Sequence, residues 1–90
     1  MSQRSSQRSR LLWRCRRGIK EMDILLQGYL ETNYDDAPES EQNSFETLLD
    51  EADLDILSWI MQKTEPDKRY IGIIAIIREY AEHTKLNAKQ

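Results

Sequence analysis

The stretch from Tyr70 to Ala81 constrains this chain's fold more than any other. Its β-branched residues Ile71, Ile73, Ile74, Ile76 and Ile77 favour a strand on propensity alone. Their spacing favours a helix. Tyr70, Ile73, Ile74, Ile77, Tyr80 and Ala81 fall within an arc of ~120° when each residue advances ~100° around an axis. The spacing predicts a helix from Asp67 to about Lys85, with Ile71 and Ile76 off the stripe and partly exposed. Thr64 is the expected cap, Pro66 lies in the first turn, and Asp67 is the matching acid.

The same reasoning carries upstream. Ile19, Met22, Leu26, Tyr29 and Leu30 recur at helical spacing, so 19–33 reads as a helix that Pro38 cannot continue. Ser40 or a neighbour is expected to cap the next helix, which turns Phe45, Leu48, Leu49 and Ala52 to one face. Asp53 is the expected cap of a fourth helix presenting Leu54, Leu57, Ile60 and Met61. That helix is apolar over a wide arc, with Trp59 off its stripe, and is expected to be central. Leu11, Leu12 and Trp13 supply an apolar anchor on a short first helix, which Gly18 interrupts. The expectation is an all-α fold, a compact antiparallel five-helix bundle forming one domain. Residues 1–10 read as a basic flexible tail, 11–86 as the domain and 87–90 as a C-terminal tail. The Arg/Ser-rich, acid-free start also imitates a mitochondrial transit peptide; we read it as a simple basic tail.

Ninety residues suffice for one domain and leave little room for a deep cleft beside a core. No apolar run approaches the ~20 residues that span a membrane, and no secretory signal is expected. Charge is unevenly placed. Residues 1–20 carry seven basic groups and no acid, whereas residues 21–90 balance to −10. A basic segment can touch phosphates, but the acidic body would repel a nucleic-acid backbone, and no recognition helix is apparent. No nucleic-acid partner and no membrane insertion are expected. Ile71 and Ile76 permit a weak dimer beside a monomer.

Templates for chemistry fail. The single histidine, His83, reads as an exposed helix residue, and no Gly-rich phosphate loop, nucleophile elbow or zinc spacing exists. Cys15 is the only cysteine, which suits a reducing compartment. Arginines beside it could lower its pKa, but a packed thiol is the better reading. Asp50, Glu51, Asp53 and Asp55 are explained by helix capping and first-turn acid placement rather than by a metal. No catalytic, cofactor-binding or metal-binding residue is expected.

The run Arg16-Arg17-Gly18-Ile19-Lys20-Glu21 remains. Gly18 marks a helix boundary. Arg17 and Glu21 stand at i,i+4 in the weaker order, base before acid, so the pair stabilises its own helix poorly. As a docking surface the same residues make more sense. Gly18 leaves bare backbone where another chain can approach, and opposite charges beside it fix the register.

At these residues the chain resembles the SdhE/YgfY family of bacterial FAD assembly factors, to which mitochondrial succinate dehydrogenase assembly factor 2 also belongs. Trp13 to Asp23 is similar to the family's R-G-x-x-E signature. Leu48 to Ile60 resembles a second family block that runs from paired leucines through acids to a tryptophan, although here no proline separates the acids. The likeness spans roughly residues 11–85. It implies a non-enzymatic factor that binds the flavoprotein subunit of succinate dehydrogenase, and possibly fumarate reductase, and promotes covalent attachment of FAD to a histidine of that subunit. By the resemblance, Arg16, Arg17, Gly18, Glu21 and Asp23 are partner-binding, Trp59 packs, and FAD is the client's cofactor rather than one this chain holds tightly. A bacterial cytoplasmic location follows from the same likeness. A regulatory binder, such as a toxin-neutralising partner, is the alternative.

Overall fold

The computed structural model describes residues 3–83, with side chains described over 8–82. Five α-helices follow one another: α1 (Gln3–Cys15), α2 (Lys20–Thr32), α3 (Glu39–Leu48), α4 (Asp53–Ile60) and α5 (Ile71–His83). Short 3-10 turns at Tyr34–Asp36 and Lys68–Tyr70 lead into the connections. No strand occurs among the described residues.

Periodicity was the right guide to α5. Tyr70, Ile73, Ile74, Ile77 and Ala81 are buried, Tyr80 packs against the core from its edge, and Ile71 is exposed. The stripe lies against α2, whose Met22, Leu25, Leu26, Tyr29 and Leu30 form the opposing wall, with Phe45 and Leu48 of α3 beside them. Burying these side chains removes apolar surface from water, and this is the main force holding so small a domain. Three tyrosines in the core keep their hydroxyls satisfied at its rim. Tyr29 donates to Glu41 at 2.6 Å, Tyr34 to Glu46, and Tyr70 to Glu51 at 2.8 Å.

Several expectations are corrected. α1 begins at Gln3 rather than near Leu11. Arg and Gln are good helix formers, and Arg8 pairs with Asp35 at 2.8 Å, tying α1 to the turn after α2. Within the expected apolar anchor, Leu11 is buried while Trp13 is 71% exposed. Ser40 lies inside α3, which starts after Pro38 without a side-chain cap. Asp53 is the first residue of α4 and not its cap, a position held by Ala52. α4 buries Ile56 and Ile60, whereas Leu54 and Met61 face solvent. It is an eight-residue peripheral helix, and α2 and α5 occupy the centre. Trp59 does pack, its ring 5.6 Å from that of Tyr70. Asp67 caps the 3-10 turn before α5, accepting from the Arg69 amide at 3.0 Å, in place of the proposed Thr64 cap. The expected end of α5 near Lys85 and the 87–90 tail lie outside the described residues, as does the His83 side chain.

Candidate docking turn

Between α1 and α2 the chain reverses over four residues. Gly18 takes φ +87°, a left-handed conformation that strains any residue with a Cβ. Asp23, in the first turn of α2, holds the reversal. Its carboxylate accepts from the Arg17 amide at 2.7 Å and the Gly18 amide at 3.1 Å. Two amides past the end of α1 are thereby satisfied by one side chain that also suits the N-terminus of α2.

Arg17 points inward and does not meet Glu21. Its side chain is only 12% exposed. Nε donates to the Arg14 carbonyl at 2.7 Å, Nη1 pairs with Asp53 at 2.5 Å, and Nη2 donates to the Leu49 carbonyl. Leu49 terminates α3, so its carbonyl belongs to a helix end that needs a donor. One planar guanidinium therefore joins the end of α1, the end of α3 and the start of α4. Beside it Arg14 pairs with Asp50 at 2.5 Å and donates to the Glu46 carbonyl at 3.1 Å.

The five residues expected at the docking surface thus divide. Arg16, Gly18 and Glu21 face solvent. Arg17 and Asp23 are bonded into the fold around them. Sequence reasoning missed the outward aromatic here: Arg16 lies over the exposed Trp13 ring, 5.3 Å from its centroid. The available signal was a basic residue three positions beyond a tryptophan in a run without acids.

The surroundings provide no reactive group. Cys15 is fully buried, and burial pushes its thiol up to about 12 against the lowering pull of Arg17 and Arg14. It is protonated and inert at neutral pH. Asp50, Glu51 and Asp53 neither cap nor converge; they engage Arg14, Tyr70 with Arg69, and Arg17 respectively. Among the described residues no group of acids, histidines or cysteines is arranged to hold a metal ion, and no helix is long and apolar enough to cross a membrane.

Comparison with known proteins identifies relatives of the whole chain. The family model described as flavinator of succinate dehydrogenase matches residues 9–81. The FAD assembly factor SdhE of Legionella pneumophila (strain Paris) is 39% identical over 72 residues, covering 80% of this chain and 91% of that protein. The corresponding protein of Vibrio cholerae is 32% identical over 79 residues, covering 88% and 90%. A solution structure of a UPF0350 protein superposes with a TM-score of 0.78 at 26% identity, covering all of this chain and 96% of the other. The Legionella and Vibrio relatives are named as assembly factors, not as catalysts.

Proposed function

This chain belongs to the family of succinate dehydrogenase flavinators, and from that premise we propose that it docks on the flavoprotein subunit of succinate dehydrogenase through the Gly18 turn and promotes covalent attachment of FAD there. One observation carries the reading. Gly18 is exposed in a left-handed conformation, nothing lies within 4 Å of where its Cβ would be, and the turn is fixed by Asp23. A glycine held open at a rigid, solvent-facing turn is suited to close approach by another backbone. Arg16 and Glu21 flank it with opposite charges that set register and discriminate among partners.

The chemistry belongs to the client. The covalent bond forms between FAD and a histidine of the flavoprotein, and this chain contributes orientation. Holding reacting groups in line lowers a barrier without any catalytic side chain from the factor. FAD remains the client's cofactor in this scheme, consistent with a chain that carries no dinucleotide fingerprint. We extend the same proposal to the fumarate reductase flavoprotein as a further client.

The test is genetic and chemical. A strain lacking the gene is complemented with wild type or Gly18→Arg, total protein is resolved on a denaturing gel, and covalent flavin is read by fluorescence of the flavoprotein subunit. Wild type restores the signal. Gly18→Arg does not, while its helical circular dichroism stays intact: a Cβ strains the left-handed turn, but the side chain enters open space and leaves the packed helices in place. Covalent flavin unchanged in the deletion strain sinks the proposal.

A further inference from the structure

We infer that Arg17, Asp53 and Asp23 act on the client by positioning the docking turn and not by touching the client themselves. The inference rests on the docking reading above and assigns to Asp53 a part that no sequence signature gives it. A residue that contacts a partner must present itself outward, and Arg17 is turned inward: its side chain is only 12% exposed, and Nε, Nη1 and Nη2 each use one of the five guanidinium N–H donors on an acceptor of this chain. Those acceptors lie on three separate helix ends. Asp53 is 36 positions from Arg17, so the ion pair closes the two signature blocks on each other.

The second half of the device is Asp23. It ties the amides of Arg17 and Gly18, so that Arg17 is held at its side chain by Asp53 and at its backbone by Asp23. Gly18, the next residue, inherits both restraints. A left-handed glycine would otherwise sample several conformations, and ordering it on binding would cost affinity. Loss of Asp53 frees the guanidinium, loss of Asp23 frees the turn, and in each case the docking surface is no longer presented in one arrangement.

A double-mutant cycle distinguishes positioning from contact. The purified flavoprotein subunit of succinate dehydrogenase is titrated with full-length wild type, Arg17→Ala, Asp53→Ala and the double variant, while amide exchange is followed at Leu26 and Ile74. The expected result is a loss of roughly tenfold in affinity for either single variant and no more for the double, the behaviour of two residues in one network. Core protection stays as in wild type. Asp23→Asn is expected to weaken binding and to speed exchange at the Arg17 and Gly18 amides. If Asp53→Ala does not fold, Asp53→Asn takes its place under the same criteria. Losses that add would mean that Arg17 touches the client directly, and the inference falls. Unchanged affinity for the Asp53 variant, or a loss accompanied by lost core protection, overturns it as well. Full affinity in Gly18→Arg would remove instead the docking reading beneath it.

Discussion

A Cβ on Gly28 would lie 2.2 Å from the hydroxyl oxygen of Tyr80 and 2.3 and 2.4 Å from two of its ring carbons. The bare backbone of α2 is therefore the surface on which the edge of a rigid ring from α5 rests. Gly28→Ala is expected to destabilise the fold by about 1–3 kcal/mol, because the ring must leave or the central helices must part. In a Tyr80→Ser background the sign reverses. With the ring gone, alanine's helix propensity stabilises by up to ~1 kcal/mol relative to glycine. Urea unfolding of the four proteins measures the cycle, and equal costs in both backgrounds would show that the ring is not the obstacle.

How far this structure could be read in advance depended on range. α5 was legible because its isoleucines repeat at the helical period over a long window. The Gly18 break was legible because glycine has a conformational reason to stand there. The buried face of α4 was not: Leu54, Ile56, Leu57, Trp59 and Ile60 spread over more than half the circumference of so short a helix, and periodicity then singles out no narrow face. Nor was the role of Arg17. Sequence spacing offers i,i+4 partners such as Glu21, whereas the partner chosen is Asp53, brought near by the packing of helices that local pattern does not specify. Gly28 gave no warning because the residue it accommodates lies on α5.

Alkali should weaken the fold. Burial, helped by the hydrogen bond to Glu46, raises Tyr34 from 10.0 to about 12, and burial raises Cys15 from 9.0 to about 12. Tyr29 is raised too, by burial first and then by Glu41. In each case the folded state favours the proton. The stability these groups contribute is complete below their unfolded pKa values and is lost as pH climbs through 9–10 toward about 12. Denaturation curves at pH 8, 9.5 and 11 should show a progressive fall, on the order of a few kcal/mol by the end. Cys15→Ala should remove the earliest part of that fall. A flat profile across this range would contradict the burial of these groups.

Gln62 offers a stabilising substitution. It follows α4 at φ +63°, where the Gln62 amide donates to the Trp59 carbonyl at 3.2 Å and the Lys63 amide to the Ser58 carbonyl at 2.8 Å. This is the Schellman arrangement, with glutamine in the place that glycine usually takes. Gln62→Gly relieves the left-handed strain and is expected to stabilise by about 1 kcal/mol, raising the melting temperature by several degrees. Gln62→Val, β-branched at the same position, should lower it. If both variants melt as wild type does, the backbone at 62 is not left-handed in solution.

Trp13 separates stability from docking. The residue is 71% exposed, and its ring meets Arg16 on the outer side of α1, beside the turn that presents Gly18. An exposed aromatic capped by a surface arginine contributes little to folding, so Trp13→Ala should change unfolding free energy by no more than ~0.5 kcal/mol. Aromatic and arginine side chains are also the ones that most often dominate a protein interface. If the client covers this side of α1, Trp13→Ala should weaken its binding roughly tenfold or more, and Arg16→Ala should reduce the dependence of association on salt. Fluorescence gives an independent view, because Trp59 packs on Tyr70 in the core and Trp13 does not. On adding the flavoprotein to a Trp59→Phe variant, the remaining tryptophan emission should shift to the blue as Trp13 leaves water. Emission that stays at the position of a solvated indole, together with unchanged affinity in Trp13→Ala, would exclude this face from the interface and confine docking to the Gly18 side of the turn.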